Sequence, residues 1–356
     1  MPWDSLPEVC SPAGRKLADL LEEGPSRQDL PGYEPVYRDF VDYIIRCTHR
    51  IWEQKNVGLC RTHYSEDCAI HTLAGPVSGV EAVVQNTITT LAATPDRLLI
   101  GEDVIWSDDG ADGLYSSHRI VSRSTHMGDD PLLGSATMVS NGVMTIADCL
   151  CRENRIVEEW LVRDNLRGVL QVGGDPWAVA RTQAEADRAG DQTRHGWRQQ
   201  AIAEVRSGSD VAIPDGHPAA APVAMLVTAL RDDRYGDGAA ALSPACEVRW
   251  PSGRRGFGRG YWIGCLTQIR SALHGASFRA EHIAARPLPG GDIAVAVRWS
   301  LAGTHRGNGL WGPASGREIL IMAVSHYRLR GGSIVEDVTV FDELAVLRQI
   351  AGGLGA

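Results

Sequence analysis

Two aspartates occupy matching positions near the ends of the two halves of this 356-residue chain, and they are the first candidates for chemistry. Asp164 closes an alternating stretch that contains Glu158 and Trp160, and Asp342 closes the matching stretch of the second half. If the stretch is a strand, Glu158, Trp160 and Asp164 share one face, which we expect to line a pocket. Burial beside an indole would raise the pKa of the carboxyl, so that it could take a proton from carbon next to a carbonyl. The alternative is a solvated or salt-bridged aspartate at a strand end.

Histidines supply the second group of candidates. His118 lies in a predicted strand and His126 follows eight residues later, an even spacing that places both rings on one face of a regular strand. They could hydrogen-bond a developing enolate oxygen or act together with Asp164. His305 corresponds to His126 in the second half, whereas Val297 replaces His118, so the two pockets would differ chemically. The alternative is a set of buried histidines that bond only to backbone carbonyls.

Further polar and aromatic side chains could line the pockets and bind substrate. They are Trp160, His71, Arg119, Asp148, Glu158, His326 and Tyr327. Asp148 and Arg119 could form a buried ion pair that orients His118, or a surface pair worth ~0–1 kcal/mol. Grouping of His71, His118, His126 and Asp148 would suggest a metal. No His-x-His or His-Glu-x-x-His spacing supports that, and we expect no metal and no other cofactor.

Composition limits the partners. The formal net charge is -9, with acids and bases mixed along the chain, which disfavours nucleic acid or an anionic membrane as a partner. No run approaches the ~20 apolar residues of a membrane span, and the N-terminus lacks a basic-then-apolar leader pattern. The eight cysteines are scattered without a Cys-x-x-Cys pair, which is typical of buried thiols in a reducing compartment. We therefore expect a cytoplasmic protein with a small-molecule substrate.

The residues that must position these groups show helical periodicity first and strand periodicity afterwards, and this order occurs twice. In the first half we predict helices at 36–55, 57–64 and 79–93, and strands at 68–73, 98–106, 115–125, 135–150 and 156–164. In the second half we predict helices at 222–234 and 261–274, and strands at 246–250, 278–286, 293–305, 317–329 and 334–341. Helices followed by hairpin-connected strands indicate an α+β fold with an antiparallel sheet.

The chain also repeats itself. Ile156, Glu158, Asp164, Gln171 and Cys68 each meet the same residue type 178 positions later, at Ile334, Glu336, Asp342, Gln349 and Cys246. Several coincidences at one offset indicate an internal duplication. We predict an N-terminal extension at 1–35 with a short helix at 14–23, a first domain at 36–174, a helical connector and loop at 175–221, and a second domain at 222–356.

The repeated motif resembles the SnoaL-like polyketide cyclase family within the NTF2-like superfamily. Residues 156–164 read Ile-Val-Glu-Glu-Trp-Leu-Val-Arg-Asp, Gln171 and Gly173 follow, and the second copy has Thr-His-x-Gly at 304–307. The resemblance implies two cone-shaped domains, each with helices packed on a curved antiparallel sheet around a small-molecule pocket. It also implies that the last-strand aspartates, Asp164 and Asp342, are the catalytic acid/base. Val338 stands where the motif has tryptophan.

These observations predict a cofactor-independent acid/base enzyme of the cyclase, isomerase or hydratase type that acts on a small carbonyl-bearing molecule. The alternative is a small-molecule-binding protein without turnover. The resemblance further implies that the two copies pair as an intrachain pseudo-dimer, with a further homodimer possible. In that arrangement we expect the sheet faces outside the pockets to pack together, through Glu159, Leu161 and Arg163 on one side and Asp337, Thr339 and Phe341 on the other.

Overall fold

The structure is a computed structural model that describes residues 17–189 and 196–352. The contact pattern divides the chain into two compact units. The first comprises Met1–Thr72, Pro76–Arg163 and Gly168–Gly174, and the second comprises Leu73–Gly75, Asp164–Arg167 and Asp175–Ala356. Cys10 and the first part of the helix predicted at 14–23 lie outside the described residues.

The first unit has a six-stranded sheet. Its strands are β1 (Tyr64–His71), β2 (Val77–Ser78), β3 (Leu98–Asp108), β4 (Leu114–Thr125), β5 (Ser140–Arg152) and β6 (Arg155–Arg163). Its helices are α1 (Leu17–Leu20), α2 (Phe40–Trp52), α3 (Cys60–His63) and α4 (Val80–Ala93), and α5 (Asn165–Gln171) follows the last strand. The sheet order is β2-β1-β6-β5-β4-β3, in which only the β1–β6 pairing is parallel.

The second unit repeats this plan. Its strands are β7 (Leu242–Trp250), β8 (Arg254–Phe257), β9 (Leu273–Pro287), β10 (Ile293–His305), β11 (Glu318–Arg330) and β12 (Ser333–Phe341). Its helices are α6 (Pro176–Ala189), α7 (Gly196–Ser207), α8 (Ala220–Leu230), α9 (Tyr235–Gly238), α10 (Gly258–Ala272) and α11 (Glu343–Ile350). The order β8-β7-β12-β11-β10-β9, with β7 parallel to β12, matches the first sheet strand for strand. The predicted α+β architecture of two similar domains is confirmed.

One side of each sheet is covered by helices. In the first unit the apolar stripe of α2, which includes Phe40, Tyr43 and Ile44, packs on Trp106 of β3 and Cys149 of β5. In the second unit α10 packs against β7 and β9. We call this the helix-facing side of each sheet. Side chains alternate along a strand, so only every second residue of β6 or β12 can reach it.

The Thr-His-x-Gly motif joins the end of a strand to the end of a helix in both units. The backbone N–H groups of Gly128 and Gly307 donate to the last carbonyls of α4 and α10, those of Ala93 and Ala272, at 3.0 and 3.2 Å. A Cβ at Gly128 would lie 2.6 Å from the Ala92 carbonyl oxygen, and one at Gly307 only 1.7 Å from that of Ser271. Only glycine permits so close an approach of the two backbones.

The Gln-x-Gly motif has a different structural role. The side chain of Gln349, in α11, accepts from the backbone N–H of Leu320 at 2.8 Å and donates to its carbonyl at 2.9 Å. Gln171, in α5, makes the same pair of bonds with Gly142 at 2.6 and 3.1 Å. Both glutamines therefore fix the last helix of a unit to the first strand of the final hairpin. The sequence patterns did not predict α5, α11 or the short strands β2 and β8.

The remaining differences from the predicted elements are small. β1 begins at Tyr64 instead of residue 68, and β5 begins at Ser140 instead of 135. The predicted connector forms two helices, α6 and α7. Within residues 17–189 and 196–352, no helix is both long enough and apolar enough to span a membrane.

Candidate functional site

The helix-facing side of the second sheet carries a buried carboxylate. Asp337 of β12 is 0% exposed, and its charge acts on the thiol of Cys265, which lies on α10. Its carboxylate accepts two side-chain hydrogen bonds, from Thr339 Oγ1 at 2.7 Å and from Trp250 Nε1 at 3.1 Å. Asp337 therefore lies on the opposite face of the strand from the predicted pocket face, which carries Glu336 and Val338.

A chain of hydrogen bonds leads to this carboxylate. Trp299 Nε1 donates to Ser325 Oγ at 2.9 Å, and Ser325 Oγ lies 2.7 Å from Thr339 Oγ1. An indole can only donate and an ionised carboxylate can only accept. The chain therefore runs in one direction, with Ser325 donating to Thr339 and Thr339 donating to Asp337. Every member is oriented to favour negative charge on Asp337.

Burial and hydrogen bonding oppose each other at this group. Loss of hydration raises the pKa of Asp337 to about 6, and the bonds from Thr339 and Trp250 hold it below the value that burial alone would give. Tyr327 stands directly opposite Asp337 in the β11–β12 register. Burial raises the pKa of its phenol well above 10, so it remains a hydrogen-bond donor. Asp337 can therefore accept a proton near neutral pH, while Tyr327 stays uncharged and can donate a hydrogen bond.

The same side of the first sheet has different chemistry at the matching positions. Glu159 of β6 corresponds to Asp337; it is buried, and Tyr64 Oη donates to it at 3.3 Å. Burial raises the pKa of Glu159, and the charge of Arg163 partly offsets this. The rest of the chain is replaced by apolar residues, because Ile120, Ala147 and Leu161 stand where Trp299, Ser325 and Thr339 stand in the second unit.

Polar groups lie elsewhere on the helix-facing side of the first sheet. Ser116 and His118 of β4 and Thr145 of β5 are buried there. Ser116 Oγ, His118 Nε2 and Thr145 Oγ1 have no hydrogen-bond partner among the described residues. Burial lowers the pKa of His118 to about 3, so its ring is neutral at physiological pH. The ring projects over Gly101 of β3, where a Cβ would lie 2.9 Å from Nε2.

The prediction that Trp160 and Asp164 share the pocket face is wrong. Leu161 packs against a core cluster built from residues of α2, α3, α4 and β1, so the helix-facing residues of β6 are Glu159, Leu161 and Arg163. Trp160 points to the other side, where it stacks on His71 with ring centroids 5.1 Å apart. His71 Nε2 in turn lies 2.8 Å from Glu158 Oε1. Strand alternation was predicted correctly, but the two faces were assigned the wrong way round.

Asp148 and Arg119 also lie on the side away from the helices. Asp148 accepts from Ser117 Oγ at 2.5 Å and from the hydroxyl of Tyr115. Arg119 Nε lies 3.1 Å from Glu102 Oε2. Because His118 is on the helix-facing side, Asp148 and Arg119 are not placed to orient its ring.

Asp164 and Asp342 lie beyond the last strand of their repeat, each before a short helix. Asp342 is the N-cap of α11 and accepts from Ala345 N at 3.0 Å and from Asn165 Nδ2 at 2.5 Å. Asp164 accepts from Arg167 N at 3.4 Å and from Ser252 N at 2.8 and 2.9 Å. Burial raises the pKa of Asp164 to about 6, while the two backbone bonds lower it.

Next to Asp164, the second unit contains a cleft of about 240 Å³. Its lining includes two indoles, several aliphatic side chains and one ion pair, from Leu166, Pro176, Trp177, Ser252, Arg254, Leu310, Trp311, Glu343 and Leu347. Arg254 and Glu343 bind each other through two hydrogen bonds, at 2.9 and 3.2 Å, and Trp311 Nε1 also donates to Glu343. The cleft is apolar with internally paired charges.

His126 and His305 are completely buried at the ends of β4 and β10. Their Nδ1 atoms bond to hydroxyls, those of Thr137 at 3.2 Å and Ser315 at 3.0 Å. Both belong to the junction between strand and helix described above. His326 and Tyr327 were both predicted to line the cavity of the second unit. Being adjacent on β11, they point to opposite sides, and only Tyr327 faces the helices.

Two signals could have located Asp337 and Glu159 in the sequence. Both are carboxylates at the same position of the repeat, and both are flanked by residues whose alternation defines a face. Which face the helices cover cannot be read from the sequence, so the predicted pocket face excludes both acids. In the part of the chain that the structure describes, no cluster of three or more His, Cys, Asp or Glu side chains has an arrangement suited to a metal ion.

Comparison with known protein families finds a match within the second repeat. Residues 235–350 match the SnoaL-like polyketide cyclase family model. Among solved structures, AclR from Streptomyces galilaeus is 18% identical, covers 37% of this chain and 94% of its own, and gives a TM-score of 0.33. IdmH from Streptomyces antibioticus is 21% identical, with coverages of 37% and 97% and a TM-score of 0.32. TsrD from Streptomyces laurentii is 18% identical, with coverages of 39% and 99% and a TM-score of 0.33. No curated protein sequence matches the chain.

Proposed function

We propose that the second unit catalyses cofactor-independent acid/base chemistry on a small carbonyl-bearing molecule, with Asp337 as the group that exchanges the proton. The observation that carries this proposal is the position of Asp337. It lies on the helix-facing side of the sheet, within residues 235–350 that match the cyclase family model, and its pKa is raised to about 6. A base with a pKa close to the working pH is both ionised and strong enough to act.

The geometry suggests a division of labour. Asp337 removes a proton from a carbon flanked by carbonyl groups, and the electron pair moves onto a carbonyl oxygen. Tyr327, opposite Asp337 in register, donates a hydrogen bond to that oxygen as it becomes negative. Thr339 and Trp250 hold the carboxylate in place through their bonds to its two oxygens. The apolar surroundings exclude water that would weaken these interactions.

The same proton transfer serves two reaction types. Return of the proton to another carbon gives an isomer. Alternatively the carbanion attacks a second carbonyl carbon of the same molecule, a carbon–carbon bond forms, and the proton goes to the new alkoxide. The second sequence is an aldol cyclisation, which the description of the matched family favours. Neither sequence consumes an oxidant or a reductant.

Asp164 is a second candidate for the base. It too has a pKa raised to about 6, and Ser252, whose backbone N–H binds its carboxylate, lines the 240 Å³ cleft. Asp342 is weaker in this role, because its carboxylate caps α11. The catalytic contributions predicted for His118, His126 and His305 also remain proposals. So does the arrangement of the two copies as a pseudo-dimer or in a further homodimer.

Asp337→Asn tests the proposal. We expect wild-type protein to convert at least one member of a panel of small β-keto esters, enones, epoxides and hydroxy acids. Asp337→Asn should lower that turnover about a hundredfold or more, since general acid/base groups contribute that much. Asp342→Asn is the matched control, because asparagine is also a good N-cap and α11 should persist. Thermal shifts of each variant report whether it binds the same compounds.

The outcomes separate the candidates. Full activity of Asp337→Asn together with loss of activity in Asp164→Asn would indicate that the reaction takes place in the cleft. Compounds that stabilise wild type and Asp337→Asn equally, with no conversion by either, would favour the alternative of a binding protein without turnover. Equal losses in Asp337→Asn and Asp342→Asn with lowered melting temperatures would indicate damage to the fold.

A further inference from the structure

We infer that the helix-facing side of the first sheet is a binding site for a neutral, mainly apolar molecule with hydrogen-bonding oxygen or amide groups, distinct in chemistry from the site around Asp337. Three buried polar atoms carry the inference: Ser116 Oγ, His118 Nε2 and Thr145 Oγ1. None has a hydrogen-bond partner among residues 17–189 and 196–352. Buried polar atoms are nearly always paired in proteins, so three on one sheet face call for a partner that binds from outside.

The three groups are neighbours in the sheet. Ser116 and His118 are two residues apart on β4 and therefore point to the same side. His118 pairs in register with Ala147, and Thr145 lies two residues from Ala147 on the same side of β5. Diagonal neighbours of this kind are about 7–8 Å apart between Cα atoms, a distance that one small molecule can span.

The second unit shows what the same positions look like without such a site. Val295, Val297 and Ala323 of the second sheet stand where Ser116, His118 and Thr145 stand in the first. Conversely, the chain that leads to Asp337 is replaced by Ile120, Ala147 and Leu161 in the first unit. Each repeat has polar residues where the other has apolar ones. The first site is thus a separate binding site: it retains a carboxylate at Glu159 but lacks counterparts of the donor chain and of Tyr327.

The buried environment selects a neutral ligand. His118 is uncharged at neutral pH, since burial opposes its protonation, and serine and threonine hydroxyls carry no charge. These three groups can donate or accept hydrogen bonds but cannot neutralise an anion. The charge of Arg163, opposite Thr145 on β6, already acts on Glu159. A ligand carboxylate would compete with Glu159 for that charge and would lose its own hydration, whereas an amide, a ketone or a phenol would satisfy the three groups.

The test uses the full chain and two probes of equal size, neutral 4-hydroxybenzamide and anionic 4-hydroxybenzoate. We expect the amide to bind at up to millimolar concentration by calorimetry and the benzoate to bind at least about tenfold more weakly. His118→Val, Ser116→Val and Thr145→Ala introduce the residues found in the second repeat. Each should weaken binding of the amide about three- to tenfold, the usual value of one hydrogen bond. In wild-type protein labelled with ¹⁵N-histidine, the ring signal of His118 is identified by its absence from the spectrum of His118→Val. This signal should shift when the amide is added.

The melting temperature without ligand distinguishes a binding role of the three polar groups from a purely structural one. Replacing an unpartnered buried polar group by an apolar one removes an uncompensated cost, so His118→Val and Ser116→Val should melt at the wild-type temperature or above when no ligand is present. Asp337→Asn is the control for the other site. It should leave binding of the amide unchanged, so failure of this inference is distinguishable from failure of the proposed turnover.

Several results would overturn the inference. One is no binding of the amide, which would mean that the three groups hold only water. Another is equal binding of amide and benzoate, and a third is unchanged affinity in all three variants. If His118→Val does not fold, Ser116→Val and Thr145→Ala decide, because wild-type affinity in both would be sufficient evidence against the site.

Discussion

At the scale of single residues, two buried carboxylates at one repeat position have acquired different surroundings. Asp337 receives bonds from a threonine and an indole, and Glu159 receives one from a tyrosine. Burial raises the pKa of both, but only Asp337 is linked to a chain of donors. A shared position in the fold therefore does not give a shared chemistry, because the neighbours on adjacent strands determine how the charge is stabilised.

The raised pKa of Asp337 makes stability depend on pH. The group binds its proton more tightly in the folded protein than in the unfolded chain. Its contribution is therefore complete below pH 3.8 and is lost as the pH rises through about 6. Relative to Asp337→Asn, the unfolding free energy of wild type should fall by about 2 kcal/mol between pH 4 and pH 7. Denaturant titrations of both proteins at several pH values measure this, and parallel pH curves would contradict it.

Thr339→Val should move the pH profile of activity. The hydroxyl of Thr339 stabilises the ionised form of Asp337, so its removal raises the pKa of the carboxyl further. The acidic limb of kcat/KM should shift upward by about one pH unit, as expected for the loss of one charge-assisted hydrogen bond of about 1.5 kcal/mol. Val338→Thr is the control, since residue 338 points to the other side of β12. An unmoved limb in Thr339→Val would exclude Asp337 as the titrating base.

At the scale of elements, the motif that suggested chemistry mainly fixes helices to strands. Asp342 caps α11, Gln349 binds the backbone of β11, and Gly307 permits contact between β10 and the end of α10. The first repeat uses Asp164, Gln171 and Gly128 at the matching places. These residues recur because both units must join the same elements in the same geometry.

Gly307→Ala should destabilise the second unit. The added methyl would lie 1.7 Å from the Ser271 carbonyl oxygen, so the strand end or the helix end must shift. A cost of about 1–3 kcal/mol is typical of such crowding. Gly309→Ala is the matched control, because its Cβ would meet the Ser271 hydroxyl at an ordinary 3.6 Å. Equal melting temperatures for the two variants would show that the close approach is not required.

Gln349→Ala should also be costly. It leaves the N–H and carbonyl of Leu320 buried and without their side-chain partner. We expect a loss of about 1–3 kcal/mol of unfolding free energy. Gln268→Ala, at an exposed position of α10, should change stability by less than about 0.5 kcal/mol. Chemical denaturation of the two variants provides the comparison, and a loss as small in Gln349→Ala as in the control would refute the anchoring role.

At the scale of the whole molecule, the duplication produced two units with one topology and two different interiors. Apart from the shared carboxylate position, the polar residues of the first lie on β4 and β5, and those of the second lie on β11 and β12. Such divergence is possible because residues inside a sheet-and-helix domain can change without altering strand order, provided that volume and hydrogen bonding are preserved.

The chain should therefore contain a single active site. Titration of activity with a tight-binding analogue of a substrate that is itself not converted should end at one inhibitor per chain. Activity remaining in Asp337→Asn should be no greater than about one hundredth of wild type, because Glu159 lacks the donor chain. An end point of two per chain, or half of the activity remaining in Asp337→Asn, would show that the first unit also turns over substrate.

The sequence by itself determined the duplication, the α+β class, nearly all long helices and strands, and the positions at which both repeats carry an acid. These are encoded locally, by hydrophobic periodicity and by motif spacing. The tertiary structure decided which side of each sheet the helices cover, and hence that Glu159 and Asp337, not Trp160, face the interior. Alternation along a strand defines two faces but does not distinguish them when both are largely buried, as in β12. That choice depends on contacts between segments far apart in the sequence, such as the packing of Leu161 against the cluster that contains Cys47 and Val83.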